Sequence, residues 1–250
     1  MESVISNNNS VESRSADNRF FASFALFITF LVFGGFALNW ISNPSNLGRI
    51  TLWTGLHGAF SATWYILLLA QIKLAGKGNL TSHRALGKLS VILVFGILLT
   101  GSIMVFEFYH RMAGFGIFNP ESAQARVRAG SFLGGAFLQW LIFLVLYALG
   151  ILNRRKPAHH KRYMIAAAIQ MMPEGLNRAV HLLSLPGYSM FICMFLVYLV
   201  LMFYDWKVQG RLYASTIFPV VLFCFLVLTM HIAFKWQAWG DWSVKMIGNI

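Results

Sequence analysis

The run FFASFALFITFLVFGGFALNWI, residues 20–41, decides the fold. It holds no charged side chain over 22 residues, and about 20 apolar residues cross the hydrocarbon layer as a helix. The run is too long for the apolar core of a signal peptide and no small-residue cleavage site follows it, so it reads as a retained helix. Upstream, residues 1–19 are polar and rich in Ser and Asn, which predicts a mobile cytoplasmic tail. Downstream, six further apolar runs lie near 50–74, 85–109, 130–152, 163–184, 188–206 and 213–236. The fifth and sixth of the seven spans are separated only by the tight turn at Ser184–Pro186–Gly187. The expectation is an all-α integral membrane bundle of seven transmembrane helices over 20–236, followed by a short external tail at 237–250.

Composition agrees. Of 250 residues, 58% are hydrophobic and 11% charged, where a soluble domain carries about a quarter charged residues. That excludes an ordinary soluble enzyme, a disordered chain and a disulfide scaffold. The net charge of +12 does not mark a nucleic-acid surface, because the basic residues sit in short loops between apolar runs. There they set orientation. Thirteen of them, from Arg14 to Arg211, fall on the side of the N-terminal tail, against six, from Arg49 to Lys245, on the other. This bias predicts a cytoplasmic N-terminus and an external C-terminus in a bacterial-type inner membrane. Cys193 and Cys224 lie inside apolar runs with no metal spacing and read as small core residues.

Gly130-Ser-Phe-Leu-Gly134 gives the fourth span a face of small residues for close helix packing. The runs 188–206 and 213–236 carry almost no polar side chains before His231 and read as lipid-facing or structural. Titratable groups inside spans are costly and mark functional candidates. They fall in two clusters. An inner one opens the third and fifth spans: Ser82-His83-Arg84 with Gly87-Lys88, and His159-His160-Lys161-Arg162. Two imidazoles at similar depth on facing helices, His83 and His160, can hold a planar cofactor, with Arg84 beside them to pair its carboxylates. The alternative is a basic interfacial loop without any ligand. Sequence alone does not say whether His159 or His160 faces the bundle, since adjacent helix positions differ by about 100°.

The outer cluster is the less usual one. His57, Trp64 and Gln71 recur every seven residues on one stripe of the second span. Glu107 and His110 share a face of the third, and Glu174, Arg178 and His181 share a face of the fifth. Three readings stay open here: a Glu174–Arg178 ion pair that fixes the bundle, a haem between His57 and His181, or zinc or iron held by His57, His110, His181, Glu107 and Glu174. Pro173 predicts a kink in the fifth span. There is no Walker loop, no Gly-x-Gly-x-x-Gly, no Gly-x-Ser-x-Gly and no His-Glu-x-x-His.

These residues carry a resemblance. His57 with the Trp64/Gln71 stripe, His83-Arg84-x-Leu86-Gly87, His160-Lys-Arg-x-Met164 and Arg178 are similar to the pattern of an uncharacterised family of bacterial multi-pass membrane proteins. The resemblance covers about residues 50–185 and implies a membrane fold without an assigned activity. More distantly, the chain resembles cytochrome b561-type proteins, whose four-helix core holds two b-type haems through paired histidines. That likeness implies His83–His160 as the inner pair and His57–His181 as the outer one; Arg84 and Arg178 are further candidate cofactor-binding residues of this sequence. The inner histidines here lie at the extreme helix ends, unlike the cytochrome pattern.

The leading expectation is therefore a haem b membrane protein that passes electrons across the bilayer, with a redox partner protein. The second is an enzyme using an outer-leaflet zinc or iron site with Glu107 or Glu174 as general base. The third is a non-catalytic transporter or accessory subunit in which Glu174–Arg178 is structural.

Overall fold

A computed structural model describes residues 2–248, with side chains from 16 to 247 apart from that of Arg49. It is all helical, with no strand among the described residues. The helices are α1 (Glu2–Ser42), α2 (Leu52–Gly76), α3 (Leu80–Gly114), α4 (Ala123–Leu152), α5 (Pro157–Gln170), α6 (Pro173–Leu182), α7 (Ser189–Gln209), α8 (Ala214–His231) and α9 (Gln237–Gly248). Local chemistry sets several of these limits. The side chains of Thr51, Asn79 and Ser122 accept from backbone N–H groups in the first turns of α2, α3 and α4, which satisfies donors that a helix start leaves bare. Pro157 and Pro173 open α5 and α6, where a missing N–H costs nothing. Gly210, at φ +66°, ends α7 in the left-handed conformation.

Six helices are long and apolar enough to cross a membrane. The remaining expected run, 163–184, is not continuous: it is divided between α5, of 14 residues, and α6, of 10. The break falls at Met171–Met172, immediately before Pro173. There the N–H of Met172 turns back to the carbonyl of Ile169 at 3.0 Å. That carbonyl would have faced the nitrogen of Pro173, which has no hydrogen to give. Two further differences concern the ends of the chain. Residues 2–19 of the polar segment continue upstream from the first apolar run as part of α1, and within the expected short C-terminal tail residues 237–248 form α9.

The elements are arranged around α5. It contacts α1, α4, α7 and α8, and Tyr65 of α2 donates to its Ala168 carbonyl at 2.8 Å. Every residue from Ile165 to Gln170 is buried. The Ala166–Ala168 run explains how one helix can be enclosed on all sides. In lipid, apolar burial gives no drive between helices, so small side chains that permit close backbone contact carry the packing. The outward faces are apolar: Phe30, Ile66, Phe95, Phe203 and Phe225 are all exposed.

The small-residue face of α4 has a specific occupant. A Cβ on Gly134 would lie 2.7–2.8 Å from the Phe234 ring, and one on Gly130 would lie 2.9 Å from the Cα of Gly240. The indole of Trp239 donates to the Gly130 carbonyl at 2.7 Å, and Ser131 donates to the Phe234 carbonyl at 2.6 Å. The C-terminal segment therefore docks on α4 and is closed by the Arg126–Asp241 ion pair at 2.5 Å.

Gly134→Leu places a side chain inside the Phe234 ring, and overpacking of this kind costs about 1–3 kcal/mol. The expected result is a lower unfolding midpoint in detergent and faster tryptic cleavage at Lys235 and Lys245. Hydrogen bonds from Arg126 and Gln237 hold the Asp241 carboxyl below its ordinary range. A carboxyl lowered in the folded state stabilises docking at neutral pH and loses that contribution as the pH falls below about 4. Acid titration of Trp239 and Trp242 fluorescence should show a small transition there that Asp241→Asn lacks, small because the pair is partly exposed.

Candidate functional site

Four consecutive residues in the first turn of α5 reach four different neighbours. Successive helix positions turn by about 100°, so a run of four points around the whole axis. His159 Nδ1 meets the Ser215 hydroxyl of α8 at 3.0 Å. His160 Nδ1 donates to the Gly150 carbonyl of α4 at 2.7 Å. Lys161 pairs with Asp17 of α1. Arg162 pairs with Asp205 of α7. Both histidines thus face the bundle, in different directions.

His160 also meets His83. The ring centres are 6.2 Å apart with planes at 84°. His83 lies in the first turn of α3, and its Nδ1 donates to the Gln71 carbonyl at the end of α2 at 3.3 Å. A carbonyl oxygen only accepts, so Nδ1 is the donor in each ring, and in the neutral imidazole the lone pair then lies on Nε2. This is the state that binds a metal, and a second-shell carbonyl on Nδ1 is the usual way to orient such a ligand. Two imidazoles bound to one metal from opposite sides, at about 2.0–2.1 Å each, place their centres roughly 6–6.5 Å apart. The observed separation fits that requirement. Nearby, Gln71 Oε1 is buried without a partner, and the Cα of Gly87 leaves its Nε2 uncrowded, since a Cβ there would come to 3.5 Å. Arg84 is exposed and forms no ion pair among the described residues. Two oriented imidazoles at this separation form a donor pair of the kind that can hold haem iron.

The outer residues are not assembled in this way. His57 is buried, its Nδ1 donating to the Ile97 carbonyl of α3 at 3.1 Å with the Thr100 hydroxyl 3.4 Å away. Its ring sits over Gly101, where a Cβ would come within 2.9 Å of it and 2.8 Å of Trp140. His181 is exposed on α6, which packs on α1 and α7, and makes no ring contact with His57. Glu107 accepts from the Thr51 hydroxyl at 2.9 Å, while His110 is exposed beside Tyr109. Glu174 and Arg178 form a loose pair at 3.9 Å, and the guanidinium lies over the Phe36 ring at 4.1 Å. Among the described residues no three His, Cys, Asp or Glu side chains come together as a metal set.

Sequence reasoning missed the most deeply buried charge pair. Arg162 is 1% exposed and Asp205 fully buried. The Arg162 Nε lies 3.0 and 2.9 Å from the two Asp205 oxygens, its Nη1 donates to the Ala158 carbonyl at 2.7 Å, and the Thr216 hydroxyl completes the carboxylate. The guanidinium also stacks on Tyr213 at 3.8 Å. Asp17, in turn, accepts from Tyr204 at 2.8 Å and Gln209 at 3.4 Å. Of the two readings of the runs 188–206 and 213–236, lipid-facing or structural, these contacts give them a structural part: Asp205, Ser215 and Thr216 anchor them to α5. One signal was present, since Asp205 is the single acidic residue between 175 and 240, and such a residue beside an apolar run requires a partner.

No protein-family model matches the chain, and neither a curated protein nor a solved structure matches it. The class that the fold defines is an all-helical, multi-pass membrane type.

Removing one partner of a buried pair leaves an uncompensated charge and costs about 3–5 kcal/mol, whereas an apolar replacement of both is far milder. Asp205→Ala should therefore lower the unfolding midpoint sharply, and Arg162→Met combined with Asp205→Leu should recover most of the loss. Thermal unfolding of the three proteins in one detergent measures this.

Proposed function

We propose that the chain is a membrane haem protein that carries single electrons, with a b-type haem held between His83 and His160. The observation that carries the reading is the pair itself: two rings 6.2 Å apart, each with Nδ1 tied to a carbonyl of the preceding helix. Bis-imidazole haem supplies a one-electron couple whose potential depends on burial and nearby charge. The residues of the chain hold and orient the two imidazoles, and Arg84 stands ready to pair acidic groups of the cofactor. Lys161 and Arg162 set the rotation of α5, and so fix where His160 points.

In this reading the basic end of the bundle faces the cytoplasm of a bacterial cell, following the distribution of Lys and Arg. The broken helix α5–α6 is the seventh crossing of the inner membrane, tolerated because it is enclosed by other helices. A redox partner protein exchanges electrons at the basic end. One haem per chain is proposed, since only the inner pair has its rings in contact. A second at His57 and His181 would require α6 to approach α2.

The test is the visible spectrum of the purified protein, oxidised and then reduced with dithionite, with metal analysis of the same sample. A Soret band at one haem per chain is expected, lost in His83→Ala and in His160→Ala and kept in His57→Ala. A colourless protein expressed with ample haem sinks the reading. Stoichiometric zinc lost in the same two variants would instead make the pair a metal-ion site, and zinc lost only in His57→Ala would favour an enzyme with an outer site.

A further inference from the structure

Helix α9 changes character around its circumference and not along its length. With about 100° between successive positions, its residues fall into three sectors. Gly240, Ser243 and Ile247 make the first, and all three are buried; this is the side that docks on α4. Gln237, Asp241 and Lys245, at i, i+4 and i+8, make the second, which is exposed and polar. There the Asp241 carboxylate accepts from Gln237 at 2.7 Å and from Arg126 at 2.5 Å. Ala238, Trp242 and Met246 make the third, again at i, i+4 and i+8, and it is exposed and apolar. A helix wholly in water has no use for the third sector, and a helix wholly in lipid has none for the second.

The place of α9 in the bundle matches this mixture. The His159–Ser215 contact puts the start of α8 beside the start of α5, and the His160–Gly150 contact puts the end of α4 there too. Helix α8 therefore ends, and α4 begins, at the opposite end of the bundle, where Gly240 and Trp239 meet Gly130. Along α8, Val221, Phe225, Leu228 and Ile232 form one exposed apolar stripe at i, i+4, i+7 and i+11. The segment Ala214–Lys235 is long and apolar enough to cross a membrane, and an exposed stripe on such a helix is its lipid face. Trp236, also exposed, follows that segment directly, and α9 begins at the next residue. Indole rings concentrate at the boundary between headgroups and acyl chains.

We infer that α9 is an interfacial helix, lying in the plane of the membrane with Ala238, Trp242 and Met246 seated in the headgroup–acyl boundary. The polar sector then faces water, and the buried one holds α4. A helix of 12 residues is about 18 Å long. Standing on end it would carry both exposed sectors from the boundary out into water; lying flat it keeps each in one medium over its full length. A second copy of the chain is the competing occupant. Three side chains on so short a helix offer far less than the roughly 800 Å² per partner that a stable interface buries. Lipid requires no such area, because the spans already hold the protein in the bilayer. The consequence is a fixed depth for the start of α4, to which α9 is bonded. This inference does not depend on the haem reading.

Depth-dependent fluorescence quenching tests it, with the full chain carrying Cys193→Ala and Cys224→Ala in phosphatidylcholine–phosphatidylglycerol vesicles. Single cysteines are introduced as Ala238→Cys or Met246→Cys in the apolar sector and as Gln237→Cys or Lys245→Cys in the polar one, and labelled with the NBD fluorophore. Lipids bearing a nitroxide at a shallow acyl position should quench the apolar-sector labels several-fold more than the polar-sector ones, and aqueous iodide should give the reverse order. Equal quenching of the two sectors overturns the inference. So does protection of the apolar-sector labels from both quenchers, the result that a second copy would give. Should the labelled chains not fold, Trp242→Phe in the otherwise unaltered chain is read instead. The share of tryptophan emission reached by the nitroxide lipid should fall in that variant, and an unchanged share overturns the inference.

Discussion

The enclosure of α5 is the constraint on which the rest of the structure depends. A helix surrounded by others in lipid gains nothing from apolar burial alone, so its position must be set by backbone proximity and by polar contacts. Ala166–Ala168 provide the first. The second comes from one turn, in which His159, His160, Lys161 and Arg162 reach α8, α4, α1 and α7. The Arg162–Asp205 contact is the deepest of these. Two charges removed from water are tolerated only with near-complete satisfaction, and here Thr216, the Ala158 carbonyl and the Tyr213 ring supply it.

This arrangement has a consequence for His160. Its neighbours on either side along the chain are each fixed to a different helix, so neither the rotation nor the depth of α5 is free. The Nδ1 contact to Gly150 then fixes the ring itself. His83 is held in the same manner by Gln71 from the hairpin of α2 and α3. Two hairpins, α2–α3 and α4–α5, each deliver one imidazole with its second nitrogen free, and the pair forms where their basic ends meet. Preorganisation of this kind is what a metal or haem ligand set requires.

The other end of the bundle is built on different terms. Close contact between the glycines of α4 and the C-terminal segment replaces ion pairs as the main device. His57, which stands out in the sequence as a buried titratable group, is absorbed by a main-chain carbonyl and by packing over Gly101. Glu107 is absorbed by Thr51. Each finds a local partner, and no shared centre results among the described residues.

Much was legible from residues alone, because membrane insertion is a local property. The 22 uncharged residues from Phe20 to Ile41 and the later apolar runs specify helices without reference to the rest of the chain, since lipid leaves no alternative for the backbone. Pro173 announced the interruption of the fifth run, because a missing N–H acts on its own turn. The inner histidines were legible as a pair, each opening a helix after a basic loop. What only the tertiary structure decided is which polar groups meet: Arg162 with Asp205, 43 positions apart, and Lys161 with Asp17, 144 apart. Periodicity assigns a side chain to a face of its own helix, but the partner on that face depends on how the helices are arranged. That arrangement follows from close packing of small residues summed over the whole bundle.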